Sequence, residues 1–544
     1  MLVDHVIRLF NTAQLQSFDM ADWPNPGAPY PIWNGSNLED GGDSANEDLN
    51  VYFAPGDNSF IIVAAAMVMI MVPGLAFLYS GLARRKSALS LIWAVMGSMA
   101  VVNFQWYLWG YSLAFSPTAT NGFIGNLHHA VLRNTLGTRS PGSNYIPSLL
   151  YSFYQLQFAA VTVGIVMGAV AERGRLLPAM VFCFFFMTLV YCPIACWIWN
   201  VNGWAFKWGV LDYAAVDELL CATLQHINTS TLQHLNAFHA LMLTSLASPG
   251  GGPVEIVSGC GALAYSWILG RRQERMLVNF RPHNVSLITL GTILLWFGWL
   301  GFNGGSAFGA NLRAVMACWN SNLTACFSGI VWVLLDYRLA KKISMVGLCS
   351  GFISGLVAAT PASGFITPHA SIFLGIVAAV CANFATKIKY LIGIDDSMDV
   401  LAEHGIPGIV GLIFNGFFGS ANIVGLDGFN IGIGGQGWID HNWARMYKQI
   451  AYIVACLSYA FVISAAIAKI IDIIPGLHLR ASDHAELMGM DDDQLGEFAY
   501  DYVEVRRDYL AWTPNHTRAP IVGMDQEPHM VSSDAEPEPT KPPQ

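Results

Sequence analysis

Long apolar runs, repeated along most of the chain, constrain its fold more than any other feature. A bilayer's hydrocarbon core is about 30 Å thick and takes about 20 helical residues to cross. Eleven runs meet that need, near 59–82, 89–115, 149–170, 177–200, 250–270, 285–303, 315–335, 344–361, 369–386, 405–424 and 446–472. Lipid offers no water to backbone N–H and C=O groups, and a helix satisfies them within the segment. Composition agrees, with 54% of residues hydrophobic and 12% charged, where a soluble domain has about 25% charged. The 52 glycines and 17 tryptophans fit close helix packing and interfacial aromatics. The chain therefore reads as an all-α polytopic membrane protein with eleven transmembrane helices.

The loops orient it. Arg84, Arg85 and Lys86, Arg173 and Arg175, Arg271, Arg272, Arg275 and Arg281, Arg338, Lys341 and Lys342, and Lys387 and Lys389 fall in alternate loops. Arg133, Arg139, Lys207 and Arg313 are the bases opposite. The richer side is cytoplasmic by the positive-inside rule, so an odd number of spans puts the N-terminus outside and the C-terminus in the cytosol. This divides the chain into an extracellular tail over 1–58, a membrane domain over 59–472 and a cytosolic tail over 473–544. The tails over 1–58 and 473–544 carry −8 and −9 against +7 between them, for a net −10, which argues against nucleic-acid binding. No CxxC or Cys/His metal spacing occurs, so the cysteines read as buried small hydrophobes, with neither metal nor cofactor expected. The start lacks the basic and apolar regions of a cleavable signal peptide. Asn34, in NGS, is a usable sequon if that tail is outside.

Two stretches do not fit. Residues 215–249 are rich in Leu, His and Thr and interrupt a Trp/Gly-rich passage. An external loop with a short amphipathic helix is one reading. A translated intron is the preferred one, since Met-Leu-Thr at 242–244 is encodable with a branch-point-like string and Pro-Gly at 249–250 with an acceptor. The other is the first 19 residues, after which Met20 is a candidate start.

Ionisable residues within spans are functional candidates by default, because a charge near the bilayer centre costs roughly 2.5 kcal/mol or more on insertion scales. Three stand out: Glu255 in GGGPVEIVSG, His404 in LAEHGIPGIVG, and Asp212 before the fifth run. With 215–249 removed, Asp212 falls eight residues before Glu255, as Asp396 falls eight before His404. One spacing recurring five spans apart suggests an inverted five-plus-five repeat, whose members bind substrate near the midplane. An acid facing an imidazole can share a proton with it, and proximity opposes desolvation in setting their charge. Nearby Trp199, Phe158 and Phe302 offer ring faces, which attract small cations by about 0.5–2 kcal/mol, and Ser306 adds a hydroxyl acceptor. Most membrane aromatics pack or sit at the interface, so the rings alone decide little. Together these groups suit a small hydrogen-bonding cation.

The segments PGLAFLYSGLARRKSALS (73–90), QLQFAAVTVGIVMGAVAER (155–173), LDYA with GGGPVEIVSG, WFGWLGFNGGS (296–306), DDSMDVLAEHGIPGIVG (395–411) and GMDDDQLGEFAYDY (489–502) resemble the ammonium transporter family (Amt/Mep/Rh), and within it the fungal ammonium permeases. The resemblance covers roughly residues 50 to 510. It implies eleven helices, a pseudo-twofold within the first ten, one pore per subunit and a homotrimer in the plasma membrane. It implies an outer ammonium site at Trp199 and Ser306 with Phe158, Asp212 beside it, and a gate of Phe158 with Phe302. Glu255 and His404 stand where most members have two histidines, and the Glu is a departure that some fungal members share. The insertion at 215–249 is a second departure, falling where the family signature is continuous. The last segment resembles the family's regulatory C-terminus.

The expected function is ammonium uptake: the cation is deprotonated, ammonia crosses an apolar pore, and the proton is relayed along Glu255 and His404. Methylammonium is a candidate second substrate. The rival reading is a sensor that binds ammonium and signals through 473–544, where Ser532 and Ser533 precede acids. An enzyme is not expected. No HExxH, nucleophile elbow or phosphate loop occurs, and the glycines of 430–437 read as a turn.

Overall fold

The computed structural model describes residues 30, 31, 33, 41–213, 250–273, 282–428, 430, 431 and 434–500. The insertion at 215–249, the Met20 start, Asn34 and the Ser532–Ser533 pair lie outside them. Among the described residues the structure is all helix, with isolated bridges at Arg139–Pro147 and Gly174–Arg480.

Among those residues, nine helices are long and apolar enough to cross a membrane. They are α1 (Pro55–Leu82), α2 (Arg85–Phe115), α3 (Ser148–Val170), α4 (Leu176–Lys207), α6 (Val285–Gly305), α7 (Leu312–Ala340), α9 (Pro368–Ile392), α10 (Leu401–Phe418) and α11 (Ala444–Ile473). Helices also stand at the other two expected places: α5, formed by Gly251–Ile256 and Val257–Leu269, and the shorter α8, Met345–Ala359. The protein is thus a multi-pass, all-helical membrane protein.

Some boundaries differ from expectation for local reasons. Helix α1 begins at Pro55, inside the expected tail, because proline's fixed φ suits a helix's first turn. Helix α10 begins at Leu401 rather than 405, because the Asp396 carboxylate accepts from Leu401 N at 2.9 Å and caps it there. It ends at Phe418 rather than 424, where Gly419 turns out of the helix and Ala421–Val424 forms a separate turn.

Small residues set the closest approaches. A Cβ on Gly259 of α5 would fall 2.7 Å from Gly405 Cα, and one on Gly408 would fall 2.7 Å from Glu255 Cβ. Helices α5 and α10 therefore meet backbone to backbone, as membrane helices do at small residues.

Two short helices come after α11: α12 (Asp483–Met488) and α13 (Met490–Leu495). The segment leading to them is tied to the loop after α3, with Arg175 N donating to Leu479 O and Ala481 N to Arg173 O, each at 2.9 Å. Asp491 caps α2, accepting from Leu89 N and Ser90 N at 3.1 and 2.7 Å. The first compact unit runs to Ala499.

Candidate functional site

Helices α5 and α10 start alike. Each opens with a π-helical turn, Gly251–Ile256 in one and Leu401–Gly405 in the other, before continuing as α-helix. Such turns are rare and favour functional positions. Each is capped by the aspartate singled out in the sequence. Asp212 accepts from Gly251 N and Gly252 N at 2.7 and 2.8 Å, and Asp396 accepts from Leu401 N. Both carboxylates thus satisfy amides that a helix start leaves orphaned, and their charge suits its positive end.

Asp212 is itself held. Tyr452 of α11 donates its hydroxyl to Asp212 Oδ2 at 3.3 Å. The preceding Leu211 is clasped by Gln449, which accepts from its N–H at 2.8 Å and donates to its carbonyl at 2.6 Å, while Asn415 donates to the same carbonyl at 3.0 Å. Sequence reasoning passed over Tyr452, Gln449 and Asn415. Polar amides spaced along apolar helices were the available signal.

The π-turns deliver Glu255 and His404 to each other. Glu255 Oε2 lies 2.9 Å from His404 Nδ1, and their side chains are 0% and 3% exposed. Glu255 Oε1 takes no hydrogen bond from the described protein groups. The pair offers one carboxylate oxygen and one imidazole nitrogen for proton exchange.

Phe158, midway along α3, belongs to an aromatic cluster. The Phe158 and Phe302 rings are tilted against one another with centroids 4.0 Å apart. Trp199 stands edge-on to Phe158 at 6.3 Å and stacks on Phe115 at 6.3 Å. Ser306, one turn beyond Phe302, donates its hydroxyl to Phe302 O at 2.6 Å. All four of Phe158, Phe302, Trp199 and Ser306 are buried. The arrangement joins ring faces to a hydroxyl acceptor, which suits a small cation bearing N–H groups. Tyr154, one turn before Phe158, packs on it at 4.9 Å and reaches Ser306 with its hydroxyl.

A model described as the Ammonium Transporter Family matches residues 59–500. The chain belongs to that family. Among its relatives, the ammonium transporter MEP3 of Saccharomyces cerevisiae is 53% identical over 455 residues, covering 84% of this chain and 85% of that protein. Ammonium transporter 2 of Schizosaccharomyces pombe is 49% identical over 476 residues, 87% of this chain and 86% of its own. The crystal structure of Candida albicans Mep2 superposes with a TM-score of 0.73 at 40% identity, covering 86% of this chain and 95% of that one. Saccharomyces cerevisiae Mep2 gives 0.72 at 38%, covering 87% and 98%. In this family member, Glu255–His404 and the Phe158–Phe302–Trp199–Ser306 cluster are two separate constellations, the first on α5 and α10, the second on α3, α4 and α6.

Proposed function

We propose that this protein takes up ammonium across the plasma membrane through a pore that passes the aromatic cluster and then the Glu255–His404 pair. One observation carries the reading: a buried carboxylate hydrogen-bonded to a buried imidazole, inside a chain of ammonium transporter descent. Trp199, Phe158, Ser306 and Asp212 form the outer site, the first two through ring faces, Ser306 through its oxygen, and Asp212 by fixing the start of α5. Phe158 and Phe302 are the gate. Each ammonium gives one ammonia and one proton. The ammonia crosses between apolar walls, the proton passes along Glu255 and His404, and the two recombine in the cytosol. Methylammonium takes the same route.

All eleven helices cross the bilayer, with the N-terminus outside and the C-terminus in the cytosol. The shared π-turn and aspartate cap of α5 and α10 support an inverted five-plus-five repeat. The region 1–58 is an extracellular tail, 59–472 the membrane domain and 473–544 a cytosolic tail. Assembly as a homotrimer belongs to the same reading. Growth of a yeast strain lacking its own ammonium transporters, on low ammonium, is the test. Rescue by the full chain is expected. Surface expression without rescue or methylammonium uptake sinks the reading and favours an ammonium sensor acting through 473–544.

A further inference from the structure

Two helix ends carry positive charge that no carboxylate among the described residues answers. Helix α7 has 29 residues, about 43 Å of helix, where the hydrocarbon core takes about 30 Å. Its last turns therefore reach beyond the hydrocarbon, and Arg338 lies there, with Lys341 and Lys342 just after. The end of α9 lies alongside, because Asn383 of α9 donates its side-chain amide to Asp336 Oδ1 of α7 at 3.1 Å. Lys387 follows Asn383 by one turn and lies over the Phe384 ring at 5.6 Å. All four bases are exposed.

Other bases at the same end are used within the protein. Arg84 meets Glu172 at 3.2 Å, Arg272 meets Asp395 at 2.8 Å and Arg480 meets Glu486 at 2.8 Å. Lys389, two residues after Lys387, turns to Asp399 at 2.7 Å. The four at the ends of α7 and α9 face one acid, Asp336, and Asn383 already occupies one of its oxygens. Large apolar side chains stand among them: Leu339, Ile343, Tyr390 and Leu391 are each at least 66% exposed. A soluble partner would leave those side chains in water. The interface of a bilayer takes both kinds of group at once, since the stems of lysine and arginine lie along acyl chains while their heads reach phosphate.

We propose that the adjoining ends of α7 and α9 bind the headgroup of an anionic phospholipid of the inner leaflet, held by Arg338, Lys341, Lys342 and Lys387. The placement in the inner leaflet rests on the reading that this end of the helices faces the cytosol. The bases select the anionic headgroup, and the apolar side chains among them fix the source as a lipid with its tails in place.

Thermal midpoints of the purified full chain in detergent, titrated with short-chain lipids, test the site. Each base near a membrane surface contributes a factor of about five to binding an anionic lipid. Dioctanoyl phosphatidylserine should therefore raise the midpoint at concentrations at least tenfold below those needed with dioctanoyl phosphatidylcholine. The combined variant Arg338→Gln, Lys341→Gln, Lys342→Gln, Lys387→Gln should respond to the two lipids alike; a preference kept in full overturns the site. In the wild type, raised salt should weaken the preference, and a preference indifferent to salt overturns the role of the charges. Glycerophosphoserine, which has no tails, should act only at far higher concentration; equal potency overturns the lipid as ligand. Zero-length cross-links from these lysines to acids of residues 501–544 in the full chain would assign the patch to that segment instead. A Lys341→Cys variant separates the site from the orientation. A membrane-impermeant maleimide should label it, above the wild-type background, in inside-out vesicles and not in intact cells. Labelling in intact cells overturns the cytosolic reading, and the detergent titration judges the headgroup site independently of it.

Discussion

Glu255 is intelligible as an acid only through what surrounds it. Its Oε2 meets His404 Nδ1 at 2.9 Å, and its Oε1 takes no hydrogen bond from the described protein groups. Glu255→Gln keeps the shape but removes the carboxylate's charge and its capacity to take a proton. Transport should fall at least tenfold with surface level preserved, measured as methylammonium uptake. Asp212 acts differently, by capping. Asp212→Asn leaves one oxygen for two amides, and a lost cap costs about 1–2 kcal/mol. Its expected signature is a lower thermal midpoint of the purified protein, and an unchanged midpoint would contradict the capping role. Glu255, His404 and Asp212 were legible in the sequence because a charge in an apolar run needs a reason. Tyr452 was not, because a tyrosine in such a run has the composition of packing, and only its hydrogen bond to Asp212 reveals more.

Helices α5 and α10 share a design that was only half visible beforehand. The repeated Asp-to-ionisable spacing marked both starts, but a π-turn leaves no pattern in the residues that form it. The early start of α10 was missed for a related reason: Leu401–Gly405 includes Glu403 and His404, so hydropathy placed the run after them, while the cap on Leu401 set the backbone. The approach of the two helices depends on glycine. A side chain at Gly259 would meet Gly405 Cα at 2.7 Å, backbone that cannot step aside. Gly259→Val should force α5 and α10 apart, abolish uptake and destabilise the protein by about 1–3 kcal/mol, an overpacking cost. Gly393 is the contrast: it has open space around it, and its φ of +69° is what favours glycine there.

At the scale of the whole molecule, the alternation of basic loops and apolar runs made the order of helices readable. The attachment of residues 474–495 was not readable, because an acidic segment looks like a solvated tail until its partners are placed. Those partners adjoin a network of buried charges. Arg272 bonds Asp395 at 2.8 and 2.9 Å and Glu172 at 2.7 Å, and Arg84 adds a contact to Glu172 at 3.2 Å. Burial raises the Asp395 pKa, but hydrogen bonds and charge from Arg272 and Arg173 outweigh it and hold the group at about 2. An unfolded aspartate titrates near 3.9. The folded pKa is therefore depressed, so the stability it contributes, about 2 kcal/mol, is present above about pH 4 and lost as pH falls toward 2. Thermal melts of the purified protein should drop across that window, and Asp395→Asn should flatten the drop while lowering the midpoint at neutral pH. The most direct measurement of the central claim is methylammonium uptake in cells expressing the wild type or the Glu255→Ala, His404→Ala double variant at equal surface level. The account predicts uptake by the wild type and its loss in the double variant; uptake surviving unchanged would contradict a pore that hands its proton to this pair.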